Sequence, residues 1–480
     1  MLSKVFREIK QFSRRNGISL FFAGGFLRDI LLDRSTQDID VVVSGETRKV
    51  AWKFARHIKG SFVCLDEENE IYRIAGKYNF DFSRLKGKSI EEDLSKRDFT
   101  INAMAVRADQ VRRRTDIREN IIDPHKGLKD LKNRKIRTVA DSAFRNDPLR
   151  MLRAWRLSAT LNFQISRGTA LLIRKQAGLL KHVAPERVRD ELLMVLGTVN
   201  SSFYIAGMER IGLLHTWIPE MKLMYACPEN YFHKDGLWGH SIQSLSALED
   251  IFKHLENLFP RWKRKIEGYL SESMGPLSER STILKFATLF HDLGKPSTVV
   301  RTKEEVHFFG HEKRGSEIVK GIMQRLRMSN QEIAMVKRLI WHHMRPGNLA
   351  SGGHPSRKAL FRFFRDLEGE GIGALLLSLA DRHSYRNVGP HPKEIRTHEK
   401  VIKQVINRYY QEPSRVRPRP ILNGHQIMDR FRLSSGPLIG KLLSSLLEAQ
   451  AEGKVKTEED GYRLLEGYLA EGIDSLRTNS

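Results

Sequence analysis

The stretch Phe21–Val43, "FFAGGFLRDILLDRSTQDIDVVV", decides how the chain begins to fold. "FFA" ends an apolar run that reads as a strand, Gly24 and Gly25 break it, "FLRDILL" has the spacing of a short helix, and "IDVVV" returns to strand. Asp38 and Asp40 stand inside that second strand. Side chains alternate along a strand, so both carboxylates point to one face with Ile39 opposite. Two neighbouring carboxylates repel each other, and a divalent cation removes that cost. The glycines leave backbone N–H groups at the start of a helix, where a phosphate can sit, and Arg28 one turn in can reach the same phosphate. A lone Asp-x-Asp is a weak signal and reads equally well as an acidic strand end. Paired glycines, Arg28 with Asp29, and Asp-x-Asp in this order form a specific one.

Working outward, 480 residues suggest about two to four domains. The 82 Lys and Arg outnumber the 57 Asp and Glu, a net charge of +25 that favours a polyanionic partner over a merely solvated surface only if motifs agree. Two cysteines, Cys64 and Cys227, make no disulfide framework, which points to a reducing, cytoplasmic setting. No apolar run approaches the ~18 residues of a membrane span. The N-terminal "MLSKVFREIKQFSRR" lacks a signal-peptide core, and its Leu2, Val5, Phe6, Ile9 and Phe12 recur at helical spacing.

Residues 19 to about 110 alternate strand and helix signals, with "YRIAG" and "YNFDF" strand-like and "TRKVAWKFARHI" helical. From Ala143 onward helix follows helix, as in "PERVRDELLMVLG" and "SEIVKGIMQRLRM". Gly, Pro and basic residues punctuate 345–356 and 412–420. The expected fold is an α+β head with a mixed sheet, followed by an all-α body. The expected boundaries are a head at 1–140, a helical neck at 141–225, a metal-binding helical domain at 226–412 and a C-terminal helical tail at 421–480.

"GGFLRD" with "DID" resembles the head motif of class II tRNA nucleotidyltransferases and bacterial poly(A) polymerases, within the polymerase-β-like nucleotidyltransferase superfamily. "KRDFTINAMAV" (96–106) resembles the second motif, in which Arg97 and Asn102 would contact the nucleotide. "IIDPHKGLKDLKNRKIRTV" (121–139) resembles the hinge, with Gly127, Asp130 and Arg137, and "NDPLRMLRAWRLSA" (146–159) resembles the base-reading motif. The resemblance implies that Asp38 and Asp40 hold two Mg²⁺ ions for in-line displacement, with Gly24, Gly25, Arg28 and Asp29 at the nucleotide. A third acid often joins such a pair from a neighbouring strand, and Asp81 is the candidate. Asp147, Arg150, Arg153 and Arg156 recur at i+3 on what reads as one helix face. An Asp accepts from an exocyclic amine and an Arg donates to a ring acceptor, so Asp147 with Arg150 can select C and A against U and G. Asn146 stands where the family usually has glutamate.

A second constellation follows. His240, His291 with Asp292, His311, His342 beside His343, and Asp381 resemble the ligand order of HD-superfamily metal-dependent phosphohydrolases. The expected ligands of a divalent transition metal or Mg²⁺ are His240, His291, Asp292, His311, His342 and Asp381, with His233 a further candidate. Together these resemblances imply template-independent addition of C, C and, as an open third step, A to the tRNA 3′ end from CTP and ATP. Two alternatives stay open: a poly(A) polymerase, and an HD phosphohydrolase with an RNA-binding head. Only fifteen residues, "FSRLKGKSIEEDLSK", separate Asp81 from Arg97. Complete CCA-adding members are longer here, so the short segment favours CC addition, with a separate A-adding enzyme as partner.

Overall fold

The computed structural model describes residues 2–227, 236–302, 306–351, 354–385 and 392–477. It divides into two compact units, Met1–Val195 with Gly207–Thr216, and Leu196–Ala206 with Trp217–Ser480.

The first unit is built on a six-stranded sheet. Its strands are β1 (Leu20–Ala23), β2 (Asp38–Val43), β3 (Ser61–Asp66), β4 (Ile71–Ala75), β5 (Asn79–Arg84) and β6 (Ala105–Arg107), in the order β3-β4-β5-β2-β1-β6. β2 and β5 run parallel and the other pairs antiparallel. Val41, Val42 and Val43 are fully buried, as an unbroken β-branched run in a central strand should be. Helix α1 (Leu2–Asn16) buries Val5, Phe6, Ile9 and Phe12, the stripe its spacing predicts. Phe6 meets Phe22 edge-on at 5.6 Å, and Phe12 meets Phe54 of α3 (Thr47–Ile58) at 5.1 Å. Each such ring withdrawn from water contributes about 1.5–3 kcal/mol. This core is the floor on which β2 presents its carboxylates.

Two strands escape the sequence reading. β3 lies at the sheet edge with most of its side chains exposed, so it shows no clean inside–outside alternation. β6 is only three residues long. A further expectation fails at Asp147. The helix Arg150–Leu161 starts after it, and Asp147 itself is extended (φ −149°, ψ 100°). Pro148 is the cause, because a residue preceding proline is pushed out of the helical region. Asp147 therefore does not share the helical face of Arg150, Arg153 and Arg156.

The second unit is helical, with two minor strand pairs among the described residues, Ser273–Gly275 with Ser278–Glu279 and Val300–Arg301 with Val306–His307. Gly236–Lys253, Arg280–Phe290, His311–Arg325, Asn330–His342 and Gly371–Ser384 form its central bundle. Part of the expected break at 345–356 is helical, Arg345–Ser351. Residues beyond 421 gather around their own apolar cluster of Leu422, Ile427, Leu442, Leu446 and Leu465.

Candidate functional site

In the first unit, three carboxylates share one sheet face. Asp40 lies opposite Asp81 in the parallel register, and Asp38 lies opposite Asn79, whose amide donates to Asp38 Oδ1 at 3.1 Å. Arg73 on β4 faces Asp81 and binds both its oxygens at 2.7 Å, with Asp38 3.7 Å away. Asp40 Oδ2 accepts the Phe26 N–H at 3.1 Å, at the start of α2 (Gly24–Leu31). The free helix-start N–H groups expected from the glycines are thus partly taken by the carboxylate itself. Gly24 is required twice over: its φ is +67°, and a Cβ there would lie 2.7 Å from Asp40 Oδ2. Burial raises the Asp40 carboxyl above its ordinary value and Asp81 adds to this, against the Phe26 N–H, Arg97 and Arg28.

A chain of polar contacts runs from α2 to the next motif. Asp29 holds Arg28 through two contacts at 2.9 Å, so Asp29 orients the arginine. Arg28 also donates to Asn102 Oδ1 at 2.9 Å, Asn102 donates to Asp98 Oδ1 at 3.0 Å, and Asp98 Oδ2 pairs with Arg153 at 2.8 Å. Burial alone would raise the Asp98 carboxyl, but Arg153, the Asn102 amide and the Phe99 N–H hold it below its ordinary value. Asp98 is the residue the sequence reading missed; its place in "KRDFTIN" beside Arg97 was the available signal. Arg97 pairs with Asp93 at 3.1 Å and lies close to Gly24. In the hinge, Asp130 takes Arg137 and the Thr100 hydroxyl at 2.7 Å each. Gly127 has no room for a Cβ, which would lie 2.3 Å from the Thr100 carbonyl oxygen.

The base-reading candidates separate. Asp147 pairs with Arg187 at 3.1 Å and accepts the Leu149 N–H at 3.2 Å. Arg150 donates to the carbonyls of Lys96 and Arg97 at 2.9 and 3.3 Å. Arg156 is tied to buried Glu191 at 2.6 Å, an internal ion pair rather than a free contact.

The segment joining β5 to α4 (Ile90–Ser95) is fastened down. Lys86 N–H donates to Asp93, Lys88 N–H to Glu92, and Lys96 Nζ to both Glu92 and the Lys86 carbonyl, at 2.8 to 3.0 Å. Gly87 sits at φ +126° against the Glu92 carboxylate.

In the second unit, His240, His291, Asp292, His311, His343 and Asp381 converge. Asp292 stands between two histidine sets. Its Oδ2 lies 3.4 Å from His240 Nε2 and 3.2 Å from His291 Nε2, and its Oδ1 lies 3.4 Å from His311 and 3.5 Å from His343. Asp381 Oδ1 is 3.1 Å from His240 Nε2. His343, not His342, joins the cluster. Successive helical residues point about 100° apart, so only one of the pair can face inward. His342 turns toward Arg345, Arg338 and Asp366 instead. His233 lies outside the described residues.

The donor set fits a divalent metal. His291, His311 and His343 place Nδ1 within 2.6 to 2.8 Å of the backbone carbonyls of Thr288, Phe308 and Ile340, which leaves each Nε2 turned to the carboxylates. His240 Nδ1 meets the Ser384 hydroxyl at 3.2 Å. Burial works against a charged His291, yet Asp292 and Asp381 push it up to about 10. A cation bound there would displace that proton. A cavity of about 520 Å³ opens on the cluster, with Lys295, Phe309 and Arg382 in its lining.

A sheet carrying paired strand carboxylates after a Gly-Gly helix start, with a separate His–Asp cluster downstream, defines a nucleotidyltransferase with an HD unit. The family described as Poly A polymerase head domain matches residues 20–137, Probable RNA and SrmB- binding site of polymerase A matches 162–224, and HD domain matches 237–386. A CC-adding tRNA nucleotidyltransferase of Thermus thermophilus is 32% identical over 455 residues, covering 93% of this chain and 92% of its own. An A-adding tRNA nucleotidyltransferase of Deinococcus radiodurans is 29% identical, covering 93% and 95%. The structure of a CCA-adding enzyme with ATP superposes with a TM-score of 0.65 at 19% identity, covering 97% of this chain and 95% of that one. The chain belongs to the tRNA nucleotidyltransferase family, and it is an enzyme. Among the described residues, no helix is long and apolar enough to cross a membrane.

Proposed function

We propose that this enzyme adds two CMP residues from CTP to the 3′ end of tRNA and leaves the terminal A to a separate enzyme. The observation that carries the stop at CC is the shortness of the segment between β5 and α4. A pocket that reads both C and A with one set of donors must change shape to accept a purine. Here only residues 85–89 link strand and helix, and Asp93, Glu92 and Lys96 hold them. The relatives include both CC-adding and A-adding enzymes, so family membership alone leaves the choice open. The test is to supply CTP and ATP with tRNA ending at the discriminator base and to sequence the products. Uniform CC ends support the reading, and CCA ends refute it.

In this reading Asp38 and Asp40, with Asp81 beside them, would hold Mg²⁺. When bound, the metal supplies charge neutralisation for the triphosphate and lowers the proton affinity of the attacking hydroxyl. The tRNA 3′-oxygen forms a bond to the α-phosphorus of CTP while the bond to the β-phosphate oxygen breaks, and pyrophosphate leaves. A guanidinium carries five N–H donors. Asp29 and Asn102 engage three of those on Arg28 and fix its plane, which leaves two for a phosphate. Asp147 and Arg150 read the base once they exchange Arg187 and the backbone carbonyls for it.

The second unit supports a further proposal, metal-dependent hydrolysis of phosphate esters. The convergence of four histidines on the two oxygens of Asp292, with Asp381 beside His240 and His291, favours it. Ring opening of a 2′,3′-cyclic nucleotide to its 2′- or 3′-phosphomonoester by native protein, lost on chelation, is the measurement that decides.

A further inference from the structure

A cavity of about 530 Å³ lies in the second unit between the turn Leu258–Trp262 and the helix Pro392–Gln411. Arg396, Lys400, Lys403 and Asn407 follow one another at helical spacing on the wall facing it. Lys403 is paired with Glu399 at 2.7 Å. Arg396, Lys400 and Arg261 across the cavity form no ion pair among the described residues. Like charges four apart on a helix repel, so an anion between Arg396 and Lys400 would relieve that repulsion.

The floor of the cavity is aromatic. Trp262 donates its indole N–H to Asn407 Oδ1 at 3.1 Å and stacks on Tyr410 at 5.1 Å with 28° between planes. Arg261 and Lys265 lie 4.9 and 5.2 Å from the indole centre. Tyr410 stacks on the indole and Arg261 lies over the ring, so a base would reach Trp262 as Arg261 turns to a flanking phosphate, an aromatic-plus-cation arrangement that suits an unstacked base. A volume of this size can take one nucleotide.

We propose that this cavity is a second RNA-contact site, binding the phosphodiester backbone through Arg396, Lys400 and Arg261 and one unpaired base against Trp262. The proposal rests on RNA being the substrate, and it concerns affinity rather than chemistry. Arg396→Glu with Lys400→Glu, both at exposed positions, is tested in the full chain with a labelled tRNA transcript ending at the discriminator base, by filter binding at several salt concentrations. The dissociation constant rises by about tenfold or more, and the slope of log affinity against log salt falls by about two, one for each phosphate contact removed. In CMP addition the loss falls on KM and not on kcat. Trp262→Phe keeps most of the affinity and Trp262→Leu does not. Unchanged affinity and salt slope in the double variant overturn the proposal, as does equal affinity of the two Trp262 variants. A failure of CMP addition in the parent enzyme would instead strike the head-site reading, because binding is measured separately.

Discussion

Arg73 grips both oxygens of Asp81 across the β4–β5 pair, and thereby neutralises the third carboxylate beside Asp38 and Asp40. A metal approaching Asp81 must share it with that guanidinium. Arg73→Ala is therefore expected to lower the Mg²⁺ concentration that half-saturates CMP addition by about fivefold, equivalent to about 1 kcal/mol for one partly exposed charge. Titrating activity against Mg²⁺ at fixed CTP checks this. An unchanged midpoint would separate Asp81 from the metal site.

Asp40 serves two ends, since it also accepts the Phe26 N–H that starts α2. Asp40→Ala risks misplacing the helix, so Asp40→Asn is the cleaner variant: its amide oxygen can keep that bond. Asp40→Asn is expected to reduce CMP addition by more than about 10³-fold. Its tRNA affinity should stay near the parent's, because phosphate contacts elsewhere supply most of it. Near-normal addition by this variant would sink the head-site assignment.

The buried Asp98 carries a pH signature. Its carboxyl is held below its ordinary value in the folded chain, so its contribution to stability is present above the unfolded pKa and lost as pH falls through the folded one. Asp98→Asn should destabilise the first unit by about 1–3 kcal/mol at pH 7, with the half-exposed Arg153 keeping the cost near the lower end. Urea melts at pH 7 and pH 3 should show that difference shrinking in acid. A difference that stays constant with pH would mean that the loss is packing, not charge.

The sequence made the strand carboxylates legible because β2 is apolar around them and alternation fixes their common face. It also exposed the histidine and aspartate order of the second unit, since those residue types rarely recur so on helices without a ligand. It chose His342 where the structure turns His343 to the cluster, because a helix turns about 100° per residue and the phase depends on which neighbours the helix meets. It placed Asp147 on a helix by spacing, although Pro148 next to it argued against that. The partners Arg73–Asp81 and Asp98–Arg153 are separated by 8 and 55 residues in sequence and became visible only when the sheet and the neck helix brought them together.

His343 and His342 offer a test of the second unit within one dipeptide. His343→Ala removes a group 3.5 Å from Asp292 and 3.2 Å from His311, and should reduce bound divalent metal and abolish phosphate-ester hydrolysis. His342→Ala, facing away, should retain both. Metal content by plasma emission and hydrolysis of a 2′,3′-cyclic nucleotide report the two effects. The reverse pattern would place the site on the wrong side of the helix. CMP addition should survive either change.

Length and rigidity of the β5–α4 segment make different predictions about where addition stops. Glu92 accepts the Lys88 N–H at 2.8 Å and the Lys96 ammonium at 2.9 Å, so Glu92→Ala frees the middle of the segment without lengthening it. A chain spans at most about 3.3–3.6 Å per residue, and residues 85–89 must still join the end of β5 to the start of α4. A loosened segment that short has little reach with which to reshape a pocket for a purine. Glu92→Ala is therefore expected to yield CC ends, as the parent does, even with ATP in large excess over CTP. Sequencing the product ends of both enzymes decides the matter. AMP addition by Glu92→Ala alone would show that fastening, rather than length, sets the stop, and AMP addition by the parent would refute the CC reading altogether.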